Sequence, residues 1–143
     1  MIDLKTNYFN WRPEGFPKIV FVEAGQGDEV TFRKTYIEKL PRPFTVRAID
    51  FFFGHDRGDC FEMDVTVYGD EKYLARRIEE GDDTHSREAA KWILLANPER
   101  IVTLTIFVTC RVTGASKVEN YQHPSYRKWR GNFDLNLVFV GAQ

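Results

Sequence analysis

The stretch Gly54-His55-Asp56-Arg57-Gly58-Asp59-Cys60-Phe61-Glu62-Met63-Asp64 gathers histidine, cysteine, three aspartates and a glutamate between positions 55 and 64. These residue types hold metal ions and move protons. If 60–68 is a strand, Glu62 and Asp64 project from one face, because alternate side chains share a face. With His55, Asp56 and Asp59 they could hold a hard divalent cation. That would be the seat of a metal-dependent hydrolase. The spacing fits no calcium-binding loop, because the glycine and the terminal bidentate glutamate are misplaced. The competing expectation is a loop tip followed by a solvated strand face, with Arg47 or Arg111 as cross-strand partners.

A second stretch, Tyr121-Gln122-His123-Pro124-Ser125-Tyr126-Arg127-Lys128-Trp129-Arg130-Gly131, interleaves cations with aromatic rings. Cations contact phosphates and rings stack on bases, so Tyr121, His123, Tyr126, Arg127, Lys128, Trp129 and Arg130 form a candidate site for a nucleotide or single-stranded nucleic acid. The plainer expectation is a structured loop whose rings dock on the core while its cations stay wet.

Other chemistry is thinly represented. His55, His85 and His123 are isolated from one another in sequence. No Gly-x-Ser-x-Gly elbow, phosphate-binding glycine loop or His-Glu-x-x-His is present. Gly25-Gln26-Gly27 reads as a turn. The two cysteines, Cys60 and Cys110, have no metal or redox spacing. Cys110 belongs to an apolar strand face, and Cys60 stands among acids that oppose thiolate formation. No cofactor is expected.

The elements that must position these residues read mainly as strands. The chain has 143 residues, 15% of them aromatic, and a net charge of −1. That size fits a single domain over 1–143 with a self-sufficient core. Charge is uneven: residues 50–83 hold 11 acids and 4 bases, a net of −7, and residues 110–131 hold 5 bases and 1 acid, a net of +4. Such asymmetry can organise self-association or a partner interface. The N-terminus lacks an apolar leader and no run is long enough to span a membrane as a helix, so a cytoplasmic protein without membrane contact is expected.

Residues 1–16 read as an irregular arm bearing Tyr8, Phe9, Trp11 and Phe16, which must cover a sheet edge or reach a neighbouring subunit. Strands are expected at 17–23, 29–38, 44–53, 60–68, 101–112 and 133–139, with Pro41-Arg42-Pro43 as punctuation and a bulge near Ile49-Asp50. In 60–68, Phe61, Met63, Val65 and Val67 share a face. In 101–112, Val102, Leu104, Ile106, Val108, Cys110 and Val112 do, with Phe107 as the exception. Between these two strands, 70–97 reads as a helical insertion. Asp70 caps a short helix carrying Tyr73, Leu74 and Ile78, and a second helix runs through Ala89, Ala90, Trp92, Ile93, Leu94 and Leu95 until Pro98 stops it. Residues 113–131 read as a long basic, aromatic loop.

The expected fold is therefore mainly β, a β-rich α+β domain. About six mostly antiparallel strands form a sandwich or strongly bent sheet, with a two-helix insertion between strands four and five. The function this supports first is a non-enzymatic interaction or assembly protein, a homo-oligomer or the binder of a protein partner. The analogy, at the level of class only, is to viral structural and accessory proteins. The phosphate-ligand module through 121–130 stands second and the metal-dependent hydrolase third.

Overall fold

The computed structural model describes residues 2–13, 19–23, 29–55, 61–81, 87–113 and 128–141. Seven strands run through them: β1 (Tyr8–Trp11), β2 (Ile19–Glu23), β3 (Glu29–His55), β4 (Phe61–Gly69), β5 (Lys72–Gly81), β6 (Arg87–Thr113) and β7 (Lys128–Gly141). The strand order is β1-β7-β3-β6-β4-β5, with β2 also paired to β7. Every ladder is antiparallel.

Two strands of 27 residues, β3 and β6, organise the molecule. Their register slips between Lys39 and Phe44, and again between Val46 and Ala48. Residues 40–43 of β3 and 95–98 of β6 fall at these slips and carry Pro41, Pro43 and Pro98. A proline has no N–H to give a ladder, so it fits where pairing is already interrupted. The slips divide the sheet in two. One half holds β1, β7, the second part of β3 and the first part of β6. The other holds the first part of β3, the second part of β6, β4 and β5.

The two halves face each other as a sandwich around one core. Phe9 stacks on Phe139 at 4.6 Å and meets the edge of Phe44 at 4.9 Å. Trp11 of β1 meets the edge of Tyr36 across the sandwich at 5.2 Å, and its Nε1 donates to Glu38 Oε1 at 3.4 Å. Met63, Val65, Val67, Leu104, Ile106, Val108 and Cys110 fill the opposing side. Arg77 of β5 is buried between the halves. Its Nη1 donates to the Phe51 carbonyl at 2.5 Å, its Nη2 to Glu79 Oε2 at 3.0 Å, and its guanidinium lies 4.4 Å from the centre of the Phe53 ring. Burying a guanidinium is tolerable only with such partners.

The strand core matches expectation except at Val102, which falls at the slip between Lys39 and Phe44 and is 40% exposed while Ile101 is buried; the helical insertion does not match. No helix lies among the described residues; 72–81 is β5 and 87–97 belongs to β6. Asp70 caps no helix. With Glu71 it makes a two-residue hairpin turn at φ 47° and 69°, the left-handed region. Its carboxylate accepts from Thr103 N at 2.9 Å and Val102 N at 3.1 Å, a capping bond given to another strand. The slip between Val67 and Tyr68 puts Leu74 and Ala75 inside consecutively. That broken alternation is what mimics a helical spacing, and Tyr73 and Ile78 are in fact exposed. In the run from Trp92 to Leu95, Ile93 and Leu95 pack against the core while Trp92 and Leu94 face outward, the alternation of a strand and not the face of a buried helix. The N-terminal arm is likewise strand at Tyr8–Trp11, and it covers the edge of its own sheet. The expected second and third strands are one continuous β3, bent at the prolines rather than broken. Its bulge falls at Arg47, just before the expected place.

Candidate functional site

Of the acidic cluster, Asp56 and Asp59 lie outside the described residues. His55 closes β3, opposite Arg87 and Phe133. Glu62 and Asp64 do share the outer face of β4, but Asp64 is engaged: Arg76 Nε donates to Oδ1 at 2.9 Å and Nη2 to Oδ2 at 2.5 Å. The partner therefore comes from β5, in the stretch read as helix. Arg111 faces Glu62 in the ladder, whereas Arg47 belongs to the other half-sheet. Among the described residues, no group of three or more His, Cys, Asp or Glu could hold a metal ion.

Of the basic, aromatic stretch, Tyr121, His123, Tyr126 and Arg127 lie outside the described residues. Lys128, Trp129 and Arg130 start β7, opposite Glu23, Val22 and Phe21 of β2. The end of the expected loop is thus paired strand.

The sequence reading missed the outer face of the β1-β7-β3-β6 half. Directly opposed residues of an antiparallel ladder point the same way. One row across this face runs Tyr8, Val140, Ala48, Leu94, and the next runs Asn10, Val138, Asp50, Trp92. Phe52 follows, opposite Asn136. Tyr8 is 41% exposed, Phe52 39%, Trp92 49% and Leu94 60%. Trp92 and Leu94 lie where β6 pairs with β3 alone among the described residues, so this stretch is an edge strand. At the centre, Asp50 Oδ1 and Asn136 Oδ1 are buried without a hydrogen-bond partner. A signal existed in the sequence: the apolar Trp92–Leu95 run is as good an edge strand as a helix face.

The opposite outer face carries an apolar group of its own: Ile37, Tyr73, Ile78 and Phe107 are exposed there. Tyr68 meets the edges of Phe107 at 5.5 Å and Tyr73 at 5.9 Å. Threonines and the Asp64–Arg76 pair flank this group.

No family model and no curated protein matches this chain. Solved structures align with it over most of its length. TmCBM61, solved in complex with beta-1,4-galactotriose, covers 93% of this chain and 88% of its own, at 13% identity and a TM-score of 0.43. The infectious bursal disease virus VP2 subviral particle covers 94% of this chain at 14% identity and a TM-score of 0.42; this chain spans 32% of that one. The CBM36-1 domain of a multidomain xylanase from the hindgut metagenome of Trinervitermes trinervoides covers 86% of this chain and 77% of its own, at 18% identity and a TM-score of 0.32.

Proposed function

We propose that this chain is a non-enzymatic assembly module that associates with further copies of itself through the outer face of the β1-β7-β3-β6 half. The observation that carries this reading is the pair Trp92 and Leu94, exposed on an edge strand, with exposed Phe52 diagonal to Trp92 and exposed Tyr8 further along the same face. Apolar side chains scattered singly on a surface need no explanation, but neighbouring ones mark an interaction site. An edge strand adds unpaired backbone donors and acceptors, a template for another chain unless something covers it. Arg87, Glu88 and Lys91 precede Trp92 on that edge, whereas Trp92-Ile93-Leu94-Leu95 is uncharged. The other two edges carry charge along their length: Arg33, Lys34 and Lys39 on β3, and Lys72, Arg76 and Glu79 on β5.

The test is sedimentation across a concentration series, for the natural chain and for a variant carrying Trp92→Lys and Leu94→Lys. Both side chains are exposed, so the variant should fold, which its denaturation midpoint verifies. The natural chain is expected to sediment as a multiple of the monomer and the variant as the monomer. A natural chain that stays monomeric up to about 100 μM, well above the dissociation constant of a stable assembly, would overturn the reading.

A further inference from the structure

From Arg87 to Leu94, β6 has a ladder to β3 on one side and none on the other among the described residues. Alternate residues of such a strand turn their N–H and C=O away from the neighbour, and this row matches the same row on an antiparallel copy. No charge interrupts it in Trp92-Ile93-Leu94-Leu95. The side chains of this stretch are incompletely covered on both faces. Trp92 and Leu94 are exposed on the outer face, and Ile93 and Leu95 pack against the core but are only partly buried. A partner laid flat on the outer face would cover Trp92 and Leu94 and leave both the backbone row and the flanks of Ile93 and Leu95 open. One added strand covers all four and meets the backbone row at once.

We propose that Lys91–Leu95 pairs antiparallel with Lys91–Leu95 of a second copy, so that two half-sheets run on as one. This rests on the reading of the chain as self-associating and assigns the contact to this edge. A two-fold axis normal to the sheet keeps every side chain on its own face, and opposed residues of an antiparallel ladder share a face. Only residues whose numbers are both odd or both even can therefore stand opposite one another. An axis at Ile93 overlaps the segment with itself completely. Trp92 then lies opposite Leu94 of the second copy, and Leu94 opposite its Trp92, so an aromatic–aliphatic cross-strand pair forms twice on the outer face. Ile93 meets its own counterpart on the inner face. Lys91 stands opposite Leu95 and covers it with its stem while the ammonium stays wet. An axis at Trp92 sets Ala90 against Leu94, and an axis at Leu94 sets Ala96 against Trp92; each gives up a large cross-strand contact. Pro98 has no N–H to give and closes the ladder at its far end.

The test mixes isotope-labelled and unlabelled full chain in equal amounts, at a concentration where sedimentation shows association. Isotope-filtered NMR then reports contacts between copies alone. Contacts are expected from the Trp92 ring to the Leu94 methyls of the other copy, and from Ile93 to Ile93. Amide exchange is read in the same sample and in the dilute chain. Within 91–95, the amides turned away from β3 should exchange more slowly in the associated chain by about tenfold or more. Association without a Trp92–Leu94 contact between copies, or with edge amides exchanging as fast as in the dilute chain, would overturn the pairing and leave the interface reading standing. Contacts between copies at Tyr8 and Phe52 would then mark one face laid on another. A chain that is monomeric at every concentration would overturn the interface reading itself, and the pairing with it, as happens if the edge is kept for a strand of a different protein.

Discussion

Tyr36 shows how one atom can be tested against the rest of the core. Its ring is held by the edge contact with Trp11 and by Lys34 Nζ, 5.0 Å from the ring centre. Its hydroxyl is buried with no hydrogen-bond partner. Burial disfavours the phenolate and raises the Tyr36 pKa above its ordinary 10.0. The folded chain therefore holds this proton more tightly than the unfolded chain. The resulting stability is complete below about pH 10, the unfolded value, and is lost as pH rises through the higher folded value. Tyr36→Phe removes both the unmet hydroxyl and the titration. It is expected to be neutral or slightly stabilising at pH 7, and its advantage over the natural chain should grow above pH 10. Urea midpoints from pH 7 to 11 measure this. A loss of more than about 1 kcal/mol at pH 7 would show that the hydroxyl does useful bonding after all.

At the scale of the element, the β4–β5 turn combines strain with a strong anchor. Asp70 and Glu71 both adopt left-handed φ, which ordinary side chains resist. Asp70 is compensated by its carboxylate bonds to Val102 N and Thr103 N and by its own N–H donating to the Thr103 carbonyl at 2.9 Å. Glu71 has no such bond among those the turn makes. Glu71→Gly should therefore stabilise the fold by about 0.5–1 kcal/mol, whereas Asp70→Ala should cost about 1–3 kcal/mol by removing bonds from two backbone donors to a charged group and leaving alanine at positive φ. Denaturant midpoints at constant slope read both, and a destabilised Glu71→Gly would refute the account of the turn. The same hairpin explains where sequence reading works. Met63, Val65 and Val67 alternate without interruption, as do Leu104, Ile106 and Val108, so their strands and buried faces are legible from a period of two. In β5 the slip at Leu74 sets two inward residues side by side, and the pattern no longer separates strand from helix. The associating face was less legible still. Tyr8, Phe52, Trp92 and Leu94 come from three strands far apart in the chain, and only the ladder register brings them together.

The whole molecule is tied together by β3 and β6, each of which passes through both half-sheets. Neither half can open without disturbing the ladders of the other, so a single cooperative transition is expected. The N-terminal strand belongs to the same unit. β1 pairs with β7 over Tyr8–Trp11, and both Phe9 and Trp11 are buried in the shared core. Losing one large core ring costs about 3–5 kcal/mol, and a domain's whole stability is only about 5–15 kcal/mol. Deleting residues 2–12 removes two such rings and uncovers the edge of β7. The deletion should therefore abolish cooperative folding, rather than leave a folded chain that has lost only its association. Far-UV circular dichroism and tryptophan fluorescence followed through urea unfolding distinguish these results. The natural chain should give coincident transitions by both probes, and the shortened chain no transition or a shallow one. A shortened chain that still unfolds cooperatively, but sediments as a monomer, would make the N-terminal strand a tether between copies and place the interface on the β7 edge. The outer-face reading predicts the reverse: association is lost through Trp92 and Leu94 while Phe9 and Trp11 stay buried in their own fold.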